Sequence, residues 1–440
     1  MRVLYNILFV FFFLLSAPYY FLKMWRRGNW QAGFAQRFGR HDGRLKQALT
    51  NRDVLWLHAV SVGEVNLCTQ LIAALESRLP NLKFVVSTTT STGMGELRKK
   101  LPPHIEKVYY PVDLRRFVHR AIATIHPVAI VLVEAEIWPN FLWRARDLGI
   151  PVFLANARVS ARSFRGYLRC GFLFRELFGE FAGVGAQNEE DAQRLREIGC
   201  RPGAVQVVGN LKFDAAKLDV RRLLDVPALL RQLGVAEDAR LLVAGSTHAG
   251  EEAILAEQFL RLKKKFPDLF LVLVPRHMER GKAVGDELRA RGVKFVFRNE
   301  LTATSQFAPG ECECLLVNTT GELRYFYEHA TLIFVGKSLT AEGGQNPIEP
   351  GALGKPMVFG PHMENFLPIA SAFVVRQGAV QVRDAAELER IVGELLGDEA
   401  RRAALGHNAL KVVQENQGAL ERTVDMIVKL LPAGGKPSRG

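Results

Sequence analysis

The amino-acid sequence predicts an α/β protein built from two doubly wound, Rossmann-like domains that follow an apolar N-terminal helix. Short apolar runs alternate with helix-length segments from about residue 53 to about residue 360, and this pattern occurs twice. Strands that alternate with helices predict right-handed βαβ units, and therefore parallel sheets with helices on both faces. The third observation is that Arg2 is the only charged residue among the first 22.

The composition excludes several classes of protein. With 440 residues, of which 48% are hydrophobic and 23% charged, the chain is too long for one ordinary domain and too apolar to be disordered or fibrous. The net charge of +13 favours anionic partners, namely nucleic acid, an acidic membrane or a phosphorylated substrate. Nucleic acid is disfavoured because no aromatic-rich basic module or recognised DNA-binding motif is present. Five cysteines without framework spacing favour reduced thiols in the cytoplasm.

The N-terminal apolar run predicts a membrane anchor over residues 1–25. As a helix, residues 3–22 would be about 30 Å long, which is the thickness of the hydrocarbon core of a bilayer. The basic residues after the run are Lys23, Arg26, Arg27, Arg37 and Arg40. Because only Arg2 precedes it, the positive-inside rule predicts a single-pass protein with the remaining chain in the cytoplasm. A monotopic or buried hairpin helix is the alternative.

The rest of the chain is predicted to form two domains. The first domain, residues 26–213, has strand-like runs at 54–60, 83–89, 107–112, 129–136, 151–157, 183–188 and 205–210. The second domain, residues 239–407, has such runs at 241–246, 269–277, 293–298, 314–319, 332–338 and 356–360. Residues 214–238 hold few strand formers and include Pro227, which predicts a linker. A closing helix over 408–431 is expected, by analogy, to return to the first domain. Ligands of such folds bind outside the carboxyl ends of the strands, so we expect a site in a cleft between the domains.

Three familiar motifs fail on inspection. The run Gly183-Val-Gly185-Ala-Gln-Asn188 lacks the third glycine of a dinucleotide fingerprint. The run Gly336-Lys337-Ser338 ends like a P-loop, but Thr331 stands where that loop needs its first glycine. Cys312 and Cys314 have no second Cys or His pair nearby, so ordinary thiols are favoured over a metal site.

In the first domain, polar residues follow several strands. Glu64 stands in Ser61-Val62-Gly63-Glu64, at the start of a helix, where it is either a helix-capping glutamate or a functional carboxylate. Glu134 and Glu136 stand two apart at the carboxyl end of a predicted strand, and residues at this spacing on a strand face the same side. The alternative is that these two acidic residues only mark the start of an ordinary helix. Lys212, in Gly209-Asn-Leu-Lys-Phe-Asp214, is by default a solvated linker lysine.

The second domain carries a similar series of turns. Small residues and hydroxyls in the run 245–251, GSTHAGE, suit a phosphate held by backbone N–H groups. Arg276 ends the most hydrophobic strand, and its planar guanidinium matches a phosphate or a carboxylate. The turns 318–322 and 343–350 each carry a glutamate that could accept hydrogen bonds from the hydroxyls of a ribose. Helix capping explains any one of these residues alone, but together they indicate a nucleotide pocket.

The motifs that carry these residues strongly resemble those of bacterial 3-deoxy-D-manno-octulosonic acid (Kdo) transferases, which act on lipid A precursors. The matching runs are WLHAVSVGE (56–64), Glu134-x-Glu136-x-Trp-Pro-Asn140, Asn156-Ala-Arg-x-Ser-x-Arg-Ser163, Gly209-Asn-x-Lys-Phe-Asp214, Pro275-Arg-His277 and Gly343-Gly-x-Asn-Pro-x-Glu-Pro350. The chain departs from the family pattern at Asn318, where many relatives carry Asp, and at Gln345, where they carry His.

This resemblance implies a GT-B fold and an inverting transfer of Kdo from CMP-Kdo, with no cofactor and no required metal. It assigns Glu64 as the general base and Glu134 and Lys212 as transition-state stabilisers. It places the CMP moiety on Pro275, Arg276, Thr320, Gly321, Glu322, Asn346, Pro347, Ile348 and Glu349. Rival interpretations are a membrane-anchored transferase that uses a UDP-sugar on another lipid acceptor, and a non-catalytic lipid- or nucleotide-binding protein.

The implied acceptor, the glucosamine disaccharide of a lipid A precursor (lipid IVA), lies in the bacterial inner membrane. Such an acceptor accounts for both the predicted anchor and the surplus of positive charge. The basic residues expected to meet an anionic membrane surface are Arg26, Arg27, Arg37, Arg40 and Arg44.

Overall fold

The computed structural model describes residues 2–26, 31, 33–134, 137–214 and 224–431. The chain divides into two compact units, one of Met1–Ala215 with Gln417–Gly440 and one of Ala216–Asn416. Each unit holds one parallel sheet of seven strands. The predicted architecture of two doubly wound domains is therefore confirmed.

The sheet of the first unit has the strand order β3-β2-β1-β4-β5-β6-β7. Its strands are β1 (Val54–His58), β2 (Lys83–Thr88), β3 (Glu106–Tyr109), β4 (Pro127–Val133), β5 (Val152–Ala157), β6 (Gly183–Ala186) and β7 (Val205–Val207). The order reverses between β1 and β4, so the loops after these two strands diverge at a switch point. In open α/β sheets this is where ligands bind.

Helices cover both faces of this sheet. They are α1 (Arg2–Arg26), α2 (Gly43–Leu49), α3 (Val62–Arg78), α4 (Ser91–Lys100), α5 (Arg115–Ile125), α6 (Pro139–Asp147), α7 (Ala161–Arg169), α8 (Gly171–Gly179) and α9 (Glu189–Glu197). Ser61, Thr90, Ser160 and Asn188 cap α3, α4, α7 and α9, each accepting a hydrogen bond from the backbone N–H three residues on. Along β1 the buried side chains alternate between the two cores, because Trp56 packs on one face and Leu55 and Leu57 on the other.

The sheet of the second unit has the order β10-β11-β9-β8-β12-β13-β14. Its strands are β8 (Leu241–Thr247), β9 (Phe270–Pro275), β10 (Phe295–Phe297), β11 (Cys314–Leu316), β12 (Leu332–Val335), β13 (Met357–Phe359) and β14 (Val380–Gln381). Its helices are α10 (Val226–Gln232), α11 (Glu251–Lys265), α12 (Gly281–Ala290), α13 (Leu323–His329), α14 (Ile348–Ala352), α15 (Leu367–Val375), α16 (Ala385–Gly397) and α17 (Glu399–Asn416).

Two segments differ from the predicted organisation. The predicted linker 214–238 contains α10, whose Val226, Leu229 and Leu230 are buried, and its residues 215–223 lie outside the described part. The single closing helix predicted over 408–431 is instead two helices, α17 and α18 (Ala419–Leu430). Gly418 separates them with φ +86°, a left-handed conformation that glycine adopts without strain. Helix α18 belongs to the first unit and packs against α3, β5 and β6.

By length and composition, α1 is the one helix within the described residues that could cross a membrane. Its large apolar side chains, among them Leu15 at 82% exposure, lie on the surface. Exposure of so much apolar surface to water is unfavourable. We therefore expect a membrane or another protein surface to cover this helix.

Candidate active site

Glu64 lies at the start of α3, just after β1, and forms a variant of the capping box in which its side chain reaches one residue before the N-cap Ser61. Its backbone N–H donates to Ser61 Oγ at 3.2 Å, and its Oε2 accepts from the backbone N–H of Val60 at 2.8 Å. The capping role considered from the sequence is therefore real. The same contacts fix the position of the carboxylate, which is only partly buried, at the carboxyl edge of the sheet.

Glu134 follows β4, the strand that pairs with β1. Its φ is +62°, which is unusual for a residue with a side chain and is found mainly where the surroundings enforce it. Burial raises the pKa of the Glu134 carboxyl and the neighbouring Glu64 adds to the rise, whereas the Lys212 and Arg158 cations oppose it. The structure therefore brings Glu64, Glu134 and Lys212 into one electrostatic neighbourhood. Glu136 lies outside the described residues.

Lys212 is held by a chain of buried amides and does not lie in a solvated linker. Its backbone N–H donates to Asn210 Oδ1 at 3.0 Å, and Asn210 Nδ2 donates to Gln187 Oε1 at 2.9 Å. Gln187 Nε2 donates to the carbonyl of Asn156 at 3.0 Å, and Asn156 Oδ1 accepts from the N–H of Leu211 at 3.1 Å. The end of β5 and the loops after β6 and β7 are thus tied together around the lysine.

The sequence alone did not assign this role to Gln187. In the sequence Gln187 stands out only as part of a run that fails as a dinucleotide motif, although a glutamine directly after a buried strand is a signal for such a bond. Asn156, the first residue of the motif 156–163, is fully buried and adopts φ +53°. Asparagine tolerates this left-handed conformation better than most residues with a side chain.

In the second unit, Arg276 follows β9 and has an exposed side chain, while its backbone N–H donates to Thr247 O at 3.0 Å. Glu349 lies at the start of α14, within electrostatic range of Arg276. Burial raises the pKa of the Glu349 carboxyl, whereas the hydrogen bond from Asn346 and the Arg324 and Arg276 cations oppose that rise. The turns after β9 and β12, which the sequence assigned to one nucleotide pocket, are therefore close in space.

Asn346 organises the turn before α14. Its Oδ1 accepts from the N–H of Ile348 at 3.1 Å, and its Nδ2 donates to Glu349 Oε1 at 3.3 Å. Pro275, Pro347 and Ile348 are buried residues.

The turn after β11 is held by Glu322. Its Oε2 accepts from Thr319 Oγ1 at 2.7 Å and pairs with Arg298 Nε at 3.1 Å. Gly321 has φ +85°, and both Thr320 and Gly321 are exposed. The tip of this turn is therefore exposed to solvent. The turn follows β11, the strand that pairs with β9.

In the turn 245–251, which the sequence predicts to suit a phosphate, one backbone N–H is bonded by a carboxylate of the protein itself. The buried carboxylate of Glu251 accepts from His248 N and Lys337 N through Oε2, at 2.9 and 2.8 Å. Its Oε1 accepts from Ser338 N and Leu339 N, at 2.8 and 2.9 Å. Glu251 thus clamps the loop after β12 to the loop after β8.

The basic residues expected at the membrane surface differ in their exposure. Arg37, expected at the membrane surface, instead donates to Thr89 O at 2.7 Å and lies 4.2 Å over the ring of Tyr109, and burial lowers its pKa. Arg26, Arg40 and Arg44 are exposed, and Arg27 lies outside the described residues.

Cys312 and Cys314 are buried free thiols, and burial raises the pKa of Cys312 to about 11. Within the described ranges, no three His, Cys, Asp or Glu side chains are grouped closely enough to bind a metal ion.

The fold and the turn-borne acids and cations define a two-domain protein of the GT-B class, and solved structures support the fold. The chain is similar to the UDP-GlcNAc 2-epimerase from Neisseria meningitidis, with a TM-score of 0.58, 14% identity, and coverage of 86% of this chain and 100% of that one. It is also similar to a glycosyltransferase from Rickettsia africae, with a TM-score of 0.56, 11% identity, and coverage of 87% and 100%.

Sequence relatives define the family. The family described as 3-deoxy-D-manno-octulosonic-acid transferase (kdotransferase) matches residues 32–215. The 3-deoxy-D-manno-octulosonic acid transferase of Haemophilus influenzae is 33% identical over 376 residues, which are 85% of this chain and 86% of that protein. The Bordetella pertussis transferase of the same name is 32% identical over 429 residues, or 93% and 96% of the two chains. The chain therefore belongs to the Kdo transferase family and is a glycosyltransferase, which confirms the resemblance found in the sequence.

Proposed function

We propose that the protein transfers Kdo from CMP-Kdo to the glucosamine disaccharide of a lipid A precursor, with inversion at the anomeric carbon. The observation that supports this most directly is the grouping of Glu64, Glu134 and Lys212 at the carboxyl edge of the first sheet. In this proposal the first unit binds the acceptor and the second unit binds the donor. The product is an intermediate of lipopolysaccharide synthesis.

Glu64 is the proposed general base. A glucosamine hydroxyl does not ionise near neutral pH, so it must lose its proton to the enzyme as the new bond forms. In the proposed step the hydroxyl oxygen bonds to the anomeric carbon of Kdo while the bond from that carbon to the CMP phosphate breaks. The proton passes to the carboxylate of Glu64, and CMP leaves with the electron pair. Positioned bases typically accelerate such steps by about 10²–10⁴-fold.

Glu134 and Lys212 are the proposed electrostatic stabilisers. The anomeric carbon becomes positive as CMP leaves, and a nearby carboxylate such as Glu134 stabilises that charge. Lys212 neutralises negative charge on the Kdo carboxylate or the departing phosphate. Such preorganised charges are often the largest single contribution to catalysis. The buried amides that hold the backbone of Lys212 supply this preorganisation.

The second unit is the proposed CMP site. The exposed guanidinium of Arg276 suits the phosphate, and Glu349 and Glu322 suit the hydroxyls of the ribose. Thr320 and Gly321 are the accessible tip of the neighbouring turn. We propose that no metal is needed, because the Arg276 guanidinium supplies positive charge for the phosphate.

We also propose that the protein works at the cytoplasmic face of the bacterial inner membrane, attached through α1. The exposed apolar surface of α1 supports attachment, and the exposed Arg26, Arg40 and Arg44 suit anionic lipid.

A donor competition tests the proposed reaction. The purified full-length protein is incubated with lipid IVA and a mixture of CMP-Kdo and UDP-sugars, and the lipid products are weighed by mass spectrometry. We expect mass increments of one or more Kdo units only. Transfer from UDP-sugars alone would overturn the proposal in favour of the rival transferase, and no transfer from any donor would favour the non-catalytic interpretation.

A further inference from the structure

Helix α1 is attached to the first unit by a row of polar contacts. Arg2 donates through both terminal nitrogens to the two carboxylate oxygens of Asp147, each at 2.8 Å. Tyr5 Oη donates to Asp113 Oδ2 at 2.8 Å. Asn6 and Asn140 exchange a reciprocal pair of amide hydrogen bonds at 3.1 and 3.0 Å. These bonds join the first turns of α1 to residues more than 100 positions away in the sequence.

The receiving site is part of the interior of the unit. Asp113 and Asn140 are 1% and 6% exposed. Asp113 accepts from the backbone N–H groups of Asn140 and Phe141, both at 3.0 Å, and thereby caps α6 just after Pro139. Asn140 Nδ2 also donates to Asp113 O at 2.6 Å. Asp113 and Asn140 therefore form a buried polar site, and Tyr5 and Asn6 complete its hydrogen bonds.

Aromatic contacts extend this attachment along the helix. The ring of Tyr5 meets the ring of Trp143 edge-on with centroids 5.6 Å apart, and Phe9 meets Trp138 at 6.4 Å. Near the other end, Phe21 meets Phe34 at 6.4 Å. At 1.5 Å per residue, Arg2 and Phe21 are about 28 Å apart along the helix axis. Contacts with the first unit therefore occur near both ends of α1.

These contacts are incompatible with a helix that crosses the bilayer. In a single pass, the end near residue 21 would lie at the cytoplasmic surface and Arg2 would emerge about 30 Å away, on the opposite surface. Asp147, in the cytoplasmic domain, could not contact Arg2 on that opposite surface. Either α1 spans the membrane or its N-terminal turns bind Asp147, Asp113 and Asn140.

We propose that α1 is a monotopic element: it lies on the first unit, its N-terminus is on the same side of the membrane as the enzyme, and its outer face enters the acyl chains of one leaflet. This rests on the proposed membrane attachment and specifies its geometry. Of the 22 large hydrophobic side chains exposed in the described residues, 13 lie on α1. Interfacial helices bury such a face by about 5–10 Å.

The proposed geometry also explains the composition of the helix. Interfacial helices usually keep a charged face in water. In α1 the polar face is instead satisfied by the protein, through Arg2, Tyr5 and Asn6, so the helix needs few charges of its own. The exposed Arg26 at its C-terminal end is placed to meet anionic headgroups.

Site-directed crosslinking in native membranes tests the proposal. In a Cys170→Ser background, which removes the one free cysteine that is not buried, Arg2→Cys is combined with Asp147→Cys and membranes are treated with a short bis-maleimide. We expect an intramolecular crosslink, identified by peptide mass spectrometry. The mismatched control is Arg2→Cys with Glu421→Cys, because α18 packs on the sheet face opposite α6.

Labelling decides the side of the membrane. With Arg2→Cys alone, a membrane-impermeant maleimide should label the protein in everted vesicles or after lysis but not in intact spheroplasts. Labelling in intact spheroplasts, with no crosslink to position 147, would overturn the proposal and restore the single-pass anchor.

Failure of attachment itself would look different. In that case the crosslink would form, but the protein would remain in the soluble fraction and would not float with vesicles of phosphatidylethanolamine and phosphatidylglycerol. Vesicle-independent dimers that are lost when exposed leucines of α1 are changed to serine would instead show that a second chain covers the helix, which would also overturn the proposal.

Discussion

The substitution Glu64→Gln separates the capping role of this residue from its proposed role as general base. Glutamine retains a side-chain oxygen that can accept from the N–H of Val60, so most of the capping box survives. The expected loss in the free energy of unfolding is below about 1 kcal/mol. A glutamine cannot accept a proton from the acceptor hydroxyl. We therefore expect turnover to fall by about 10²–10⁴-fold, which corresponds to about 3–5 kcal/mol in the activation barrier.

The chain offers a matched control in the second unit. Glu387 forms the same kind of capping box at the start of α16, where its Oε2 accepts from Arg383 N at 2.9 Å and its N–H donates to Asp384 Oδ1 at 2.9 Å. Glu387→Gln should cost a similar small amount of stability and leave turnover unchanged. A general effect of losing a capping carboxylate would appear in both variants.

The assay is the initial rate of Kdo addition to lipid IVA, followed by mass spectrometry of the lipid. Calorimetry with CMP and thermal unfolding of the same preparations provide the donor affinity and the stability. We expect Glu64→Gln to bind CMP like the unmodified protein while its turnover is lost. Turnover within about 5-fold of the unmodified protein would refute the role of Glu64 as the base, since a base contributes at least about 10²-fold.

Three further predictions follow from the same contacts. Lys212→Gln removes a cation that lowers the pKa of Glu134, so the acid limb of the pH–rate profile should move to higher pH; an unmoved limb would separate the two residues. Burial raises the pKa of Asp113 from 3.8 to about 6, so the protein should lose stability as the pH rises through about 6, by up to about 3 kcal/mol. Asp113→Asn should lack this slope when unfolding is measured between pH 4 and 7; an equal slope in both proteins would contradict the assignment. Glu251→Gln replaces an acceptor of four backbone N–H groups by an amide, so unfolding should become easier by about 3 kcal/mol or more, and a loss under about 1 kcal/mol would show that the clamp is weak.

The parallel sheets were predictable because their signal is local and repeated. Runs of buried apolar residues such as β4, in which all seven residues are buried, stand out from the amphipathic helices around them. The seventh strand of the second sheet was missed because β14 has only two residues, too few for any periodicity. The break at Gly418 was missed because two helices joined by a short turn have nearly the same pattern as one.

The clamp formed by Glu251 shows how far local reasoning reaches. The turn 245–251 contains the small residues and hydroxyls that suit a phosphate, and it also contains this carboxylate, which accepts backbone N–H groups. Glu251 stands three residues after His248, which is the spacing at which a side chain reaches back to a backbone N–H. Its bonds to residues 337–339, in contrast, connect loops 86 to 88 positions apart and could not be read from any local pattern.

The contacts that dock α1 lie close in the sequence to a residue of the proposed chemistry. Only five residues separate Glu134, just after β4, from Asn140, in the first turn of α6. Glu134 is held in a left-handed conformation, while Asn140 binds both Asp113 and Asn6. A change that releases α1 from Asn140 therefore acts close in the sequence to the proposed stabilising carboxylate. If α1 instead spanned the membrane, Asn140 would lose Asn6 as a partner.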